Sequence, residues 1–167
     1  MRRILGYWKE IGTVVGVLSA SLLLIDRLWP FVSITVAGVA ADGRSLRISV
    51  ENTGVDTVLV SNFRIQAVDP EVTGVLTLGQ LAPSSDPNVS HGRQTVVVGI
   101  SHIIVEGWDL HDPNSATSFF AKYGDKKVRI LADATRRRKI KPLTCDVALG
   151  QISSFIVNRS SPPEAAE

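Results

Sequence analysis

A chain of 167 residues has room for one domain and little besides. With 44% hydrophobic and 20% charged residues it is too apolar for a disordered chain, and its net charge of +2 indicates neither a nucleic-acid surface nor an acidic substrate. The single cysteine, Cys145, excludes an internal disulfide and any CxxC or Cys/His zinc spacing.

The first element is the stretch YWKEIGTVVGVLSASLLLIDRLW, residues 7–29. Ile11 to Ile25 is uncharged. Fifteen helical residues rise only about 22 Å, but Trp8 to Trp29 covers about 32 Å, enough to set both indoles at headgroup level. Lys9 and Arg27 can snorkel to water, and Glu10 and Asp26 fall near the interfaces. The reading is a membrane anchor over residues 1–30, with the bilayer contacted through residues 7–29. A cleaved signal peptide fits less well: Lys9 and Glu10 split the apolar part, and no small-x-small site follows it. An interfacial helix needs a polar face, which 11–25 lacks; a buried soluble helix is the other alternative. Arg2, Arg3 and Lys9 before the run, against Arg27 after it, place the N-terminus in the cytoplasm and the rest on the non-cytoplasmic side, with the reverse as the alternative. Gly12, Gly16 and Ala20 share a four-residue spacing that lets helices approach closely, a route to a homo-oligomer through the span.

From Phe31 the hydrophobic period becomes two. Val32, Ile34 and Val36 alternate with small or polar residues, as do Leu46, Ile48 and Val50, and Asp42-Gly43 between them predicts a hairpin turn. Asn52-Thr53-Gly54 is the next turn signal. DTVLVS and FRIQAV read as two short strands meeting around Ser61-Asn62, and GVLTLG as another. Residues 82–93 form a loop; QTVVVGI reads as a strand buried on both faces. HDPNSATSFFAKYG predicts one helix, with Asp112 as cap, Pro113 at its first position and Gly124 after its end. KKVRILADA and IKPLTCDVAL follow as strands joined by the basic turn TRRRK, with Pro142 at a bulge or sheet edge. Residues 160–167 read as a disordered tail.

Eight or so short strands with turn residues between them predict a mainly β domain over 31–159, an immunoglobulin-like antiparallel β-sandwich preceded by one N-terminal transmembrane helix. The run LRISVENTGVDTVLVSNFRI resembles the start of immunoglobulin-like sandwiches in membrane-anchored bacterial proteins, where a strand also ends in Asn-x-Gly before its hairpin partner. The resemblance covers about 20 residues and implies a fold class; the Cys…Trp…Cys spacing of antibody domains is absent.

Chemistry is sparse. No phosphate-cradling, zincin or nucleophile-elbow motif occurs. His102, Glu106, Asp109, His111 and Asp112 hold metal-ligating types, but Asp112 has a capping role and the nine-residue interval between the histidines defines no geometry, so solvated loop polarity is the plainer reading. The sharpest charge feature is Arg136, Arg137, Arg138, Lys139 and Lys141. It suits an anionic partner such as lipid headgroups, a carboxylate-rich protein or a polyanion, or else serves as a solvated hairpin tip that blunts an edge. Without interleaved aromatics it is no nucleic-acid site. Cys145, in phase with Leu143 and Val147, reads as a buried strand cysteine, and Asn88 and Asn158 head N-x-S triplets that matter only in a glycosylating pathway.

These readings converge on a membrane-anchored β-sandwich binding or assembly module, non-enzymatic and without cofactor, acting on an unidentified protein partner. A small accessory subunit making its contacts through the span is the first alternative. A metal-dependent module using residues 102–112 is the second.

Overall fold

The computed structural model describes residues 13–21, 31–78, 81–84, 88–100 and 103–160. Among the described residues there are ten strands: β1 (Val32–Val39), β2 (Ser45–Asn52), β3 (Val58–Ala67), β4 (Leu76–Leu78), β5 (Ala82–Pro83), β6 (Asn88–Val89), β7 (Gly92–Gly99), β8 (Ile103–Val105), β9 (Lys127–Arg136) and β10 (Lys139–Ala148). Helix α1 is described over residues 13–21; α2 (Pro70–Thr73), α3 (Pro113–Tyr123) and α4 (Ser153–Arg159) follow, with a 3-10 turn at Leu149–Ile152 before α4. The protein is mainly β. One antiparallel sheet has the order β1-β2-β7-β5, a second β10-β9-β3-β6, and β4 pairs with β8 separately.

The two large sheets share one apolar core, consistent with a β-sandwich. Period-two alternation supplies it: Ile34, Ile48 and Val96 come from the first sheet, and Val60, Ile130 and Leu143 from the second. Ile48 and Ile130 are fully buried, and each such side chain contributes about 1.5–3 kcal/mol. The β1–β2 hairpin turns at residues 40–44, as Asp42-Gly43 predicts; Gly43 has φ +64°, and Asp42 accepts from Arg44 N at 2.9 Å. That bond, foremost, holds the Asp42 carboxyl below its ordinary value.

Several expectations are corrected. The two strands expected around Ser61-Asn62 are one, β3. Its register against β9 slips between Ser61 and Arg64, and Asn62 takes φ +56°. This bulge moves the inward phase from Val58 and Val60 to Phe63 and Ile65, so a strict period-two reading breaks there. Strand β7 is not buried on both faces; Val96 and Val98 face the core and the alternate positions are more open. Pro142 stands on the edge strand β10 in an unbroken ladder, which makes it an edge proline. Helix α4 adds a helix beyond α3. Ile152, Phe155 and Ile156 recur at helical spacing and are fully buried, which pulls the chain after β10 back onto the body. Ser160, expected to open the tail, is largely buried and bridges Ile103. Residues 161–167 lie outside the described residues.

Helix α3 follows its sequence signals: Asp112 accepts from Ser115 N at 2.9 Å, and Pro113 opens the helix. Gly124 ends it without a left-handed turn, at φ −64°. Of the expected anchor, only the nine residues of α1 are described; Val14, Val15, Val17 and Leu18 on it are exposed. Among the described residues no helix is long and apolar enough to cross a membrane. The remainder of residues 7–29, Gly12 included, lies outside them.

Candidate functional site

Register places the basic turn. Val32 pairs with Asn52 and Asn52 with Gly92, so the start of β1, the end of β2 and the start of β7 lie together. In the second sheet Leu59 pairs with Thr135, and Arg136 with Lys139, so the β9–β10 turn lies beside the start of β3. Asn52 joins the sheets at this end. It is fully buried, its Nδ2 donates to Asp56 O at 2.8 Å and Val89 O at 3.1 Å, and its Oδ1 accepts from Gly54 N at 3.0 Å. All its bonds therefore go to backbone, which fixes the loop carrying Asp56. His91 Nδ1 adds a donated bond to Gly54 O at 3.0 Å. The basic turn thus sits at the end where the chain enters β1.

The five cations do not act alike. Arg136 is 4% exposed; its Nε and Nη2 donate to Asp56 Oδ2 at 3.1 and 2.6 Å. It is a structural cation, which corrects its assignment to the anionic-partner surface. Arg137 and Arg138 form the two-residue turn, with φ +46° and +68°. Positive φ at both positions is what a type I′ hairpin requires and what Asn-Gly ordinarily supplies. Arg137 is exposed and reaches Asp56 Oδ2 at 3.4 Å; Arg138 and Lys139 are exposed. Lys141 is half-buried, and its Nζ donates to Val32 O at 3.3 Å, joining β10 to the first turn of β1. Beside it a cleft of about 180 Å³ is lined by Phe31, Ser33, Glu51 and Thr53. Apolar side chains stand among the cations: Phe31 is 41% exposed, Val55 67% and Ile140 60%.

The remaining sequence candidates disperse. His102 lies outside the described residues. Asp109 accepts from the backbone N of His111 at 2.9 Å, His111 Nε2 donates to Ser160 O at 3.3 Å, and Asp112 caps α3. Among the described residues no cluster of three or more His, Cys, Asp or Glu is placed to hold a metal. Cys145 is half-buried on β10 rather than buried, because β10 is an edge strand. Asn88 is exposed on β6, and Asn158 Nδ2 donates to Gly43 O at 3.3 Å. Gly16 and Ala20 are exposed on α1, and a side chain at Gly16 would meet no atom within 4 Å.

Sequence reasoning missed a second concavity because it needs α4. Ala116, Thr117 and Phe120 of α3 face Ser153, Ser154 and Val157 of α4 across an open cleft of about 610 Å³. Gly150 N donates to Gly124 O at 2.9 Å, and Arg159 Nε donates to Arg44 O at 3.1 Å, which holds both helices at the end opposite the basic turn. The spacing of Ile152, Phe155 and Ile156 is the signal that could have revealed α4. Comparison with protein-family models gives no match, and comparison with curated protein sequences gives none either.

Proposed function

We propose that this chain is a membrane-anchored, non-enzymatic binding or assembly module, an immunoglobulin-like β domain held at the bilayer by residues 7–29. The observation that carries this reading is the exposed apolar α1. Val14, Val15, Val17 and Leu18 form one exposed apolar face of the helix, Gly16 and Ala20 behind them are small, and no charged residue stands between Ile11 and Ile25; an exposed helix of this composition suits lipid. The aromatic flanks Trp8 and Trp29 suit the interfaces. Strand order supports the immunoglobulin-like assignment: β1, β2, β7 and β5 take the places of strands A, B, E and D, and β3, β9 and β10 those of C, F and G. Arg2, Arg3 and Lys9 favour a cytoplasmic N-terminus with the β domain on the other side.

Trp29 precedes β1 by three residues in the sequence, so a bilayer holding Trp29 lies nearer the chain-entry end than the opposite end. The α3–α4 cleft then faces away, open to a second protein. Anchoring confines the domain to the membrane plane and raises its effective concentration for partners there. The test is extraction. Full-length protein should stay in the pellet after an alkaline carbonate wash, and removal of residues 1–30 should release it. Release of the full-length chain by the wash would overturn the anchor.

A further inference from the structure

We infer that the chain-entry end of the β domain is a docking surface for anionic phospholipid, with Arg137, Arg138 and Lys139 contacting headgroups and Phe31, Val55 and Ile140 entering the interfacial layer. The inference deepens the anchoring reading and rests on it for geometry.

Three independent features lead here. The first is placement. Lys141 Nζ bonds Val32 O, so the basic hairpin lies against the point where the chain arrives from residues 22–30. A bilayer holding Trp29 is within reach of that hairpin. The second is the charge balance. Asp56 is occupied by Arg136 and Arg137; Glu51 is matched by Arg93 at 3.1 Å; Asp133, further up β9, is engaged by Asn62 Nδ2 at 2.6 Å. Among the described residues, Arg138 and Lys139 have no ion pair, so the tip is a net cation in reach of a headgroup layer. The third is the turn itself. Both central positions hold arginine at positive φ, where Asn-Gly would be relaxed. A hairpin tip needing only solubility could carry its charges on the flanking strands. Arginine at both strained positions departs from the local rule, as sites shaped for a ligand do. Phe31, Val55 and Ile140 are exposed at the same end: Phe31 lines the cleft beside Lys141, Ile140 falls between Lys139 and Lys141 in sequence, and Val55 adjoins Asp56. Apolar residues near cations suit electrostatic attraction with shallow apolar insertion.

Phospholipid is the occupant because of the tether: a soluble acidic protein would have to compete with a membrane three residues from β1. Each basic residue near an anionic surface contributes a modest increment, so losing two cations should weaken docking roughly 30-fold.

The full chain carrying Cys145→Ser and Thr57→Cys, labelled with a fluorophore at position 57, exposed at the same end of the domain but outside the proposed contact residues, is placed in nanodiscs containing headgroup-quencher lipid. The discs are either neutral phosphatidylcholine or contain phosphatidylglycerol. Quenching should be strong with phosphatidylglycerol, weak with phosphatidylcholine, and lost in high salt, where the screening length falls to about 3 Å. Adding Arg137→Asn with Arg138→Gly, a pair that relaxes the turn, should sharply reduce the lipid dependence in a folded protein, in line with the roughly 30-fold weakening. Equal quenching in both discs, or quenching unchanged in the double variant, would overturn the inference and leave an acidic protein as the hairpin's partner. If the chain is not retained in discs the anchor fails, and the same label then reports binding to added vesicles: preference for phosphatidylglycerol keeps the docking surface, and none removes it.

Discussion

Relaxing the basic turn should make the protein more stable. Arg137 and Arg138 hold φ +46° and +68°. Left-handed backbone costs an L residue roughly 1–2 kcal/mol, a cost glycine escapes and asparagine reduces. Two terms oppose the gain from Arg137→Asn with Arg138→Gly. Glycine at position 138 returns about 0.5–1 kcal/mol of unfolded-chain freedom. The Arg137–Asp56 contact is 3.4 Å long with Arg137 63% exposed, so its loss costs well under about 1 kcal/mol. The net is a stabilisation of roughly 1–2 kcal/mol. For a domain of this size that raises Tm by about 3–8 °C. Thermal unfolding of the full chain in mild detergent, followed by circular dichroism, measures it. An unchanged or lower Tm would mean that arginine fits this turn without strain, and the argument that the turn keeps its cations for a partner would lose one of its three supports.

Asp56→Ala should destabilise by about 2–3 kcal/mol, because it removes the carboxylate paired with a guanidinium that is 4% exposed; the value lies below that for a fully buried pair because Asp56 is 34% exposed. Urea unfolding of the full chain checks it, and a loss under about 0.5 kcal/mol would show that Arg136 finds other compensation. Acid should weaken the β9–β10 ladder. Arg129 donates to both Asp146 oxygens, at 2.6 and 2.9 Å, and these bonds hold the Asp146 carboxyl below 3.8 and push the guanidinium up. A depressed acid contributes stability that is full above its unfolded value and is lost as pH falls through the folded one. Asp146→Asn should therefore flatten the stability profile below about pH 4 and leave the profile above pH 7 unaltered in shape. An acid limb as steep as in the parent would place the loss on other carboxylates.

Much of the architecture is written in local pattern. The alternation of Val32, Ile34 and Val36 and of Leu46, Ile48 and Val50 specifies strands with one buried face, and Asp42-Gly43 specifies the turn between them. Asp112-Pro113 specifies where α3 begins, since a cap and a first-turn proline act within four residues. These are properties of neighbours along the chain. The bulge at Asn62 is of another kind. Its residue type permits positive φ but does not demand it, and the slip exists because Val60 and Phe63 must both face a core built largely by other strands.

The candidate site belongs wholly to that second kind. The run at 136–141 is visible as charge in the sequence, yet its division is not. Arg136 is withdrawn by Asp56, 80 positions away, and Lys141 is bound to Val32, 109 positions away. Only the closing of two sheets over one core, with Asn52 tying their ends, brings those residues together. The sequence by itself determined the strands, the α3 cap and a cationic hairpin. The tertiary structure decided which cations are spent inside the fold and which face outward, because burial and ion pairing depend on partners supplied from distant parts of the chain.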